Sequence, residues 1–346
     1  MRYYEIIVGQ LDLAAELLHA QHPTQSRLAL ILVDNAVEYV LHRYAVDYFR
    51  FNPVSGGLPV EERREQYKER AKVRGQHLKP KITFALSKNA ITKDQARFVR
   101  NAHEFRNQAY HAGLVHDPII TELATAYYSL FCQMLPNLAP RMISVKFGAS
   151  FSPRVECHIS REARLRLPTR EGVDLIVSSL KHALPQPKRT LAEACRSSLA
   201  GRLDDVRSLI DYLVRNDTTA KSAEHLILDT QFWTDFWARA PEEGFTLRDT
   251  GFGGVEVDPS QKKQWEEVIT HMRTSWRPRV SVQTLERWDR RISGLTSESI
   301  PGKLLQKYCK LESEIEPFEQ MISRRCAAYD QYIDELLEEE RISGRR

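Results

Sequence analysis

The chain is poor in cysteine, and what it has is scattered. Its five cysteines, Cys132, Cys157, Cys195, Cys309 and Cys326, are odd in number and include no CxxC pair. That argues against a disulfide framework and a zinc ribbon, and fits a reducing cytoplasm. Long apolar runs are missing too. The longest purely aliphatic stretch is Leu28–Val33, far short of the ~20 residues a membrane helix needs. The opening residues MRYYEIIVGQLDLAAELL carry acids inside their apolar run and no small-residue cleavage site, so no secretory signal is expected and the location reads as cytoplasmic. No G-x-x-x-x-G-K-[ST] loop or G-x-G-x-x-G occurs. Gly251-Phe252-Gly253-Gly254 precedes a strand-like run rather than a helix, which argues against a nucleotide cradle of those types. There is no internal repeat and no low-complexity tract.

What is present is an ordinary globular composition over 346 residues, 42% hydrophobic and 28% charged, long enough for two domains. The net charge of +4 hides an uneven distribution. From Arg63 to Arg100 there are twelve Lys/Arg against three acids. From Glu312 to Glu340 there are ten acids against two bases. A basic stretch can steer a polyanion such as RNA, and an acidic one could compete for it. The plainer reading of each is a solvated helical face.

Periodicity predicts a mainly α protein. Residues 3–50 read as helix broken at His22-Pro23-Thr24-Gln25-Ser26, with Thr24 or Ser26 as cap. Leu30, Val33, Val37, Val40, Leu41 and Tyr44 recur at spacings of three and four. Asn52–Pro59 is a loop, a charged helix follows to Arg74, and Gly75–Pro80 breaks it before a short helix over 82–88. Thr92 caps the next helix, predicted to reach Ala112, whose Phe98, Ala102, Phe105 and Ala109 form one apolar stripe. Arg100, His103, Glu104, Asn107 and His111 fall on the opposite face, with Arg106 at the edge between them. Gly113 and Asp117-Pro118 stop it, and a helix over 119–135 closes a bundle of about five helices.

Past residue 140 the texture changes. Ile143–Phe147 and Val155–Ile159 alternate with period two around a Gly/Ser/Pro stretch, the pattern of a small β-hairpin. Helices resume over 173–183, 191–214 and 225–238, and 251–258 reads as a short strand. All five tryptophans (Trp233, Trp237, Trp265, Trp276, Trp288) lie in this half, which points to a second core. A coiled-coil-like helix over about 301–340 carries Leu304, Tyr308, Leu311, Ile315, Phe318 and Ile322 in four-three spacing, resuming at Cys326, Tyr329, Ile333 and Leu336. Pro317 either kinks it or starts a new helix. The expected division is 1–140, a helical bundle, and 141–346, a mostly helical region.

The segment His103-Glu104-Phe105-Arg106-Asn107-Gln108-Ala109-Tyr110-His111-Ala112-Gly113 resembles the signature of HEPN-domain ribonucleases: an Arg, usually followed by a polar residue, then a His after four to six positions. Arg70/His77 and Arg97/His103 also meet the loose spacing, but with Ala71 and Phe98 after the arginine. The residue types suit metal-free RNA cleavage. A histidine titrates near neutrality and moves protons; an arginine stays charged and matches phosphate oxygens; Asn107 shares a helix face with His111.

The resemblance covers residues 1–140 and implies a HEPN-like bundle with Arg106, Asn107 and His111 as catalytic residues, Arg100, His103 and Tyr110 as substrate contacts, and no metal or other cofactor. It further implies products ending in a 2′,3′-cyclic phosphate and a 5′-hydroxyl, a homodimer that pairs two motif helices into one cleft, and a toxin or anti-phage role with RNA as substrate and an antitoxin or regulatory protein as partner. In some toxin members a tyrosine two residues after the His is modified by an antitoxin nucleotidyltransferase; Gly113 stands there in this chain. The alternative is a catalytically idle HEPN scaffold that binds RNA or a partner protein.

Overall fold

A computed structural model describes residues 2–52, 59–111, 117–140, 150–217, 219–239, 248–249, 255–256 and 262–344. Within the helix ends and strands at 109–111, 117, 248–249, 255–256, 262 and 264, only the backbone is described. The protein is mainly α. No helix among the described residues is long and apolar enough to cross a membrane. The chain forms two compact units, the first from residues 1–195 with 296–307, the second from 196–295 with 308–346.

The first unit is laid down by α1 (Arg2–His19), α2 (Pro23–Phe51), α3 (Val60–Arg74), α4 (Leu78–Ser87), α5 (Lys93–His111) and α6 (Asp117–Leu138). Three more helices follow: α7 (Pro153–Glu156), α8 (Arg161–Arg166) and α9 (Arg170–Ala183). The central member is α2, which packs on α1, α4, α5 and α6. Its stripe of Leu30, Val33, Val37, Val40 and Leu41 is fully buried, as the three-four spacing requires. The cap of α2 is His22 rather than Thr24 or Ser26: its Nδ1 accepts from the Thr24 amide at 3.3 Å and Pro23 occupies the first turn. Ser26 is buried, its hydroxyl 2.8 Å from that of Thr121.

Thr92 does cap α5. Its Oγ1 accepts from the Gln95 amide at 3.2 Å while Gln95 Oε1 accepts from the Thr92 amide at 2.9 Å, a reciprocal box. The first compact unit does not stop near residue 140, because α9 packs on α6 and α1. Tyr128 of α6, fully buried, donates its hydroxyl to the Leu180 carbonyl at 3.1 Å.

The expected hairpin is corrected here. Its first half, 143–147, lies outside the described residues, and its second half is not a strand. Ser152-Pro153 starts α7, and Val155 and Ile159 are both buried while Cys157 between them is exposed. Val155 lies on α7 and Ile159 follows the turn that ends it, so the period-two reading of this short run was the wrong one. Elsewhere, Arg248–Asp249 pairs antiparallel with Val255–Glu256, two residues a side.

The second unit holds most of α10 (Leu191–Asn216) and α14 (Pro301–Ser343), with α11 (Ala223–Arg239), α12 (Lys262–Ser275) and α13 (Val282–Ser293). Phe232, Phe236 and Trp265 form an aromatic core supported by Trp233, Trp237 and Trp276. The α14 helix runs unbroken through Pro317. Tyr308, Leu311, Ile315, Phe318 and Ile322 are all buried, so the four-three spacing marks a packed face. Several of its acids are engaged within this unit. Arg202 binds Glu312 at 3.1 Å and Glu319 at 2.5 Å, and Arg291 binds Glu314.

Candidate functional site: a buried carboxylate behind the Arg–Asn motif

The α2 stripe contains one misfit. Asp34 follows Val33 and is completely buried. An unpaired carboxylate there would cost several kcal/mol, so its neighbours must supply donors, and three do. Tyr127 of α6 donates its hydroxyl to Oδ1 at 2.9 Å. His103 Nδ1 lies 2.9 Å from Oδ2, and Arg106 Nε lies 3.4 Å from the same oxygen, an ion pair without hydrogen-bond geometry. Asp34 therefore ties together three helices, two of its partners coming from the motif helix.

Arg106 is held at both ends of its guanidinium. One Nη donates to Asn107 Oδ1 and the other to Asn35 Oδ1, each at 3.0 Å. A guanidinium carries five N–H donors. One hydrogen on each Nη is left without an acceptor among the described residues. The Arg106 side chain is 23% exposed and that of His103 21%, so both are reachable from solvent while anchored on a buried anion.

The carboxylate also shifts the titration of its neighbours. The hydrogen bond to Asp34 raises the His103 pKa above its usual value, against the opposing pull of partial burial. A bond to a carboxylate requires hydrogen on Nδ1, which leaves Nε2 outside that bond. Burial, and after it the Asp34 charge, pushes the Tyr127 phenol well up, which keeps it a donor.

The expected site residues divide accordingly. Arg106, Asn107 and His103 come together around Asp34 and Asn35. Arg100 does not join them: it is exposed, and its Nε donates to the Ala96 carbonyl at 3.1 Å. Tyr110 and His111 are the last two residues of α5, and their side chains lie outside the described structure. Helix register puts His111 one turn past Asn107. Asp34, Asn35 and Tyr127 were not anticipated. Their one trace in the sequence is an acid breaking the apolar α2 pattern directly after Leu28–Val33.

A second polar cluster, around the buried His158, joins α1, the α7 segment and α9. His158, 6% exposed, lies 2.7 Å from Asp12 Oδ1 through Nε2 and 2.9 Å from Ser179 Oγ through Nδ1. Asp12 also binds Arg154 at 2.6 Å. Cys157 Sγ is near enough to Asp12 and His158 for the three to share a cation, but the Arg154 guanidinium already supplies positive charge to Asp12. The arrangement reads as an interhelical clamp.

No family model, no curated protein and no solved structure matches the chain.

Proposed function

We propose that the first unit is a metal-independent endoribonuclease of the HEPN type that its motif resembles. The observation that carries this reading is the fixing of Arg106 by Asp34, Asn35 and Asn107, with His103 on the same carboxylate. A pre-oriented cation with N–H groups to spare beside a carboxylate-held histidine suits a phosphodiester whose negative charge grows in the transition state.

In the proposed reaction a base removes the proton from the ribose 2′-hydroxyl, and the 2′-oxygen attacks phosphorus. The P–O5′ bond breaks as an acid delivers a proton to the departing oxygen, leaving a 2′,3′-cyclic phosphate and a 5′-hydroxyl. Arg106 stabilises the pentacoordinate phosphorus, assisted by Asn107. His111 serves as base, and His103, whose pKa the Asp34 hydrogen bond raises, suits the acid. Arg106 and His111 stand about 140° apart on one helix, which favours a homodimer whose two α5 helices share a cleft. Exposed cations such as Arg64, Lys68, Lys72, Arg74 and Lys79 would steer RNA toward it. A toxin or anti-phage role, with an antitoxin or regulatory protein as partner, belongs to the same proposal.

The test is cleavage of single-stranded or looped RNA by the purified chain in EDTA. Arg106→Ala and His111→Ala are expected to abolish it; undiminished cleavage by a folded His111→Ala protein would sink the assignment. One observation favours a second reading, an idle scaffold: both Nη atoms of Arg106 donate inside the protein, as a purely structural clamp would. On that reading Arg106→Ala loses stability, and no variant changes any RNA cleavage.

A further inference from the structure

The second unit contains a cleft of about 780 Å³ between one face of α11 and one face of α14, floored by the turn at Arg279-Val280. Thr230, Thr234 and Trp237 follow each other at helical spacing on one wall, and Pro317, Met321 and Arg324 on the other. The volume lies within the range usual for small-molecule sites, ~300–1,000 Å³.

Its walls carry indole rings and arginines. Trp233 and Trp237 are the outer members of the aromatic core, with ring centroids 6.1 Å apart and planes tilted by 30°. They are backed rigidly. Trp237 rests on Trp265 at 5.9 Å, Trp233 meets Phe232 and Phe236 edge-on, and the Trp233 indole N–H donates to Asp229 at 3.1 Å. The Trp237 indole N–H has no acceptor among the described residues. The floor is rigid as well, because the buried Gln231 amide accepts from the Arg279 and Val280 amides and donates to the Val280 carbonyl. Indole faces offer a planar ring a stacking surface.

Three arginines line the cleft, Arg279, Arg324 and Arg325, against one acid, Glu314. Glu314 is bound by Arg291 and the Trp288 indole, Arg279 by Asp235 and Arg325 by Asp217. Arg324 is exposed and has no acid partner among the described residues. The lining therefore leaves one guanidinium, Arg324, to receive an anion, a surplus that disfavours the cationic ligands aromatic walls otherwise attract.

We propose that this cleft binds a free nucleotide, its base against Trp233 and Trp237 and its phosphate on Arg324. The inference stands apart from the ribonuclease reading, since it uses no residue of the first unit. A nucleotide within an RNA strand offers the same base and phosphate; the recessed volume favours the free form, and the test separates the two.

Isothermal titration calorimetry of the full chain with AMP, GMP, CMP, UMP and their triphosphates, beside adenosine, inorganic phosphate and a short single-stranded RNA, reads the outcome. At least one nucleotide is expected to bind saturably, one per chain, with adenosine and phosphate each weaker. Arg324→Glu, at an exposed position, should leave the melting temperature unchanged and weaken that nucleotide about tenfold or more; Trp237→Ala should weaken it similarly. Saturable binding by none of the nucleotides, binding of the RNA alone, or an Arg324→Glu protein with unchanged affinity would each overturn the proposal.

Discussion

Replacing Asp34 by Asn tests whether the buried carboxylate organises the site. The change is nearly isosteric, so packing among Val33, Val37 and Tyr127 is kept and only charge and donor pattern change. The oxygen of the new amide can still accept from Tyr127. Its nitrogen then faces His103 Nδ1 and Arg106 Nε, the two groups now on Oδ2, and donor meets donor.

Breaking a buried pair by removing one partner costs ~3–5 kcal/mol. Arg106 and His103 retain some access to water, which puts the expected loss near the lower end, ~3 kcal/mol. For a unit of this size that is a fall of roughly 6–12 °C in its melting transition. A pH signature accompanies it. The folded pKa of His103 is raised by the Asp34 hydrogen bond, so its contribution is fully present below the unfolded value of ~6.5 and is lost as pH rises through the folded pKa. Wild-type stability should therefore fall across that window. The Asp34→Asn protein should lose this dependence, and its His103 pKa should drop.

Thermal and urea melts over a pH series, with the imidazole titration followed by NMR, measure all three quantities. An Asp34→Asn protein with unchanged melting temperature and an unmoved His103 titration would refute the reasoning.

Tyr127→Phe removes one donor to Asp34 without creating a cavity, and denaturant melts should show ~1–3 kcal/mol of destabilisation. Gly302→Ala should destabilise the first unit in the same assay, because a Cβ there would collide with the Asp94 backbone carbonyl at the start of α5. Truncation from Ser313 removes Ile315, Phe318 and Ile322 from the second core and should abolish its cooperative melting. Truncation from Gln331, past the last buried residue Tyr329, should leave that melting unchanged. If the active form is a composite dimer, mixing Arg106→Ala with His111→Ala protein should restore RNA cleavage that neither shows alone; no restoration, with a monomer in sedimentation, would rule out the shared cleft.

The helices were legible because their apolar residues recur at three and four over long stretches, and because breaks such as His22-Pro23 and Gly75–Pro80 are chemically plain. The motif helix was legible for the same reason, down to its Thr92 cap. The run Val155–Ile159 was not, since five residues are too few to fix a period, and the Ser-Pro start makes its first two residues the end of a short helix and the rest a turn. The site was half legible. Arg106, His103 and Asn107 could be placed on α5 by register, but a helical wheel does not say which neighbour a polar edge meets. His103, read as part of a polar outer face, binds a carboxylate on α2, sixty-nine residues away in the chain. Asp34 itself was hidden by its surroundings, an acid that periodicity treats as noise in an apolar stripe.

The most direct test of the ribonuclease proposal is to map the product ends formed in EDTA by wild-type protein and by folded His111→Ala and His103→Ala variants. A 2′,3′-cyclic phosphate and a 5′-hydroxyl from wild type, with both variants inactive or slowed about a hundredfold or more, is the predicted result. Products ending in 3′-hydroxyl and 5′-phosphate, or cleavage that persists unchanged in the His111→Ala protein, would contradict it.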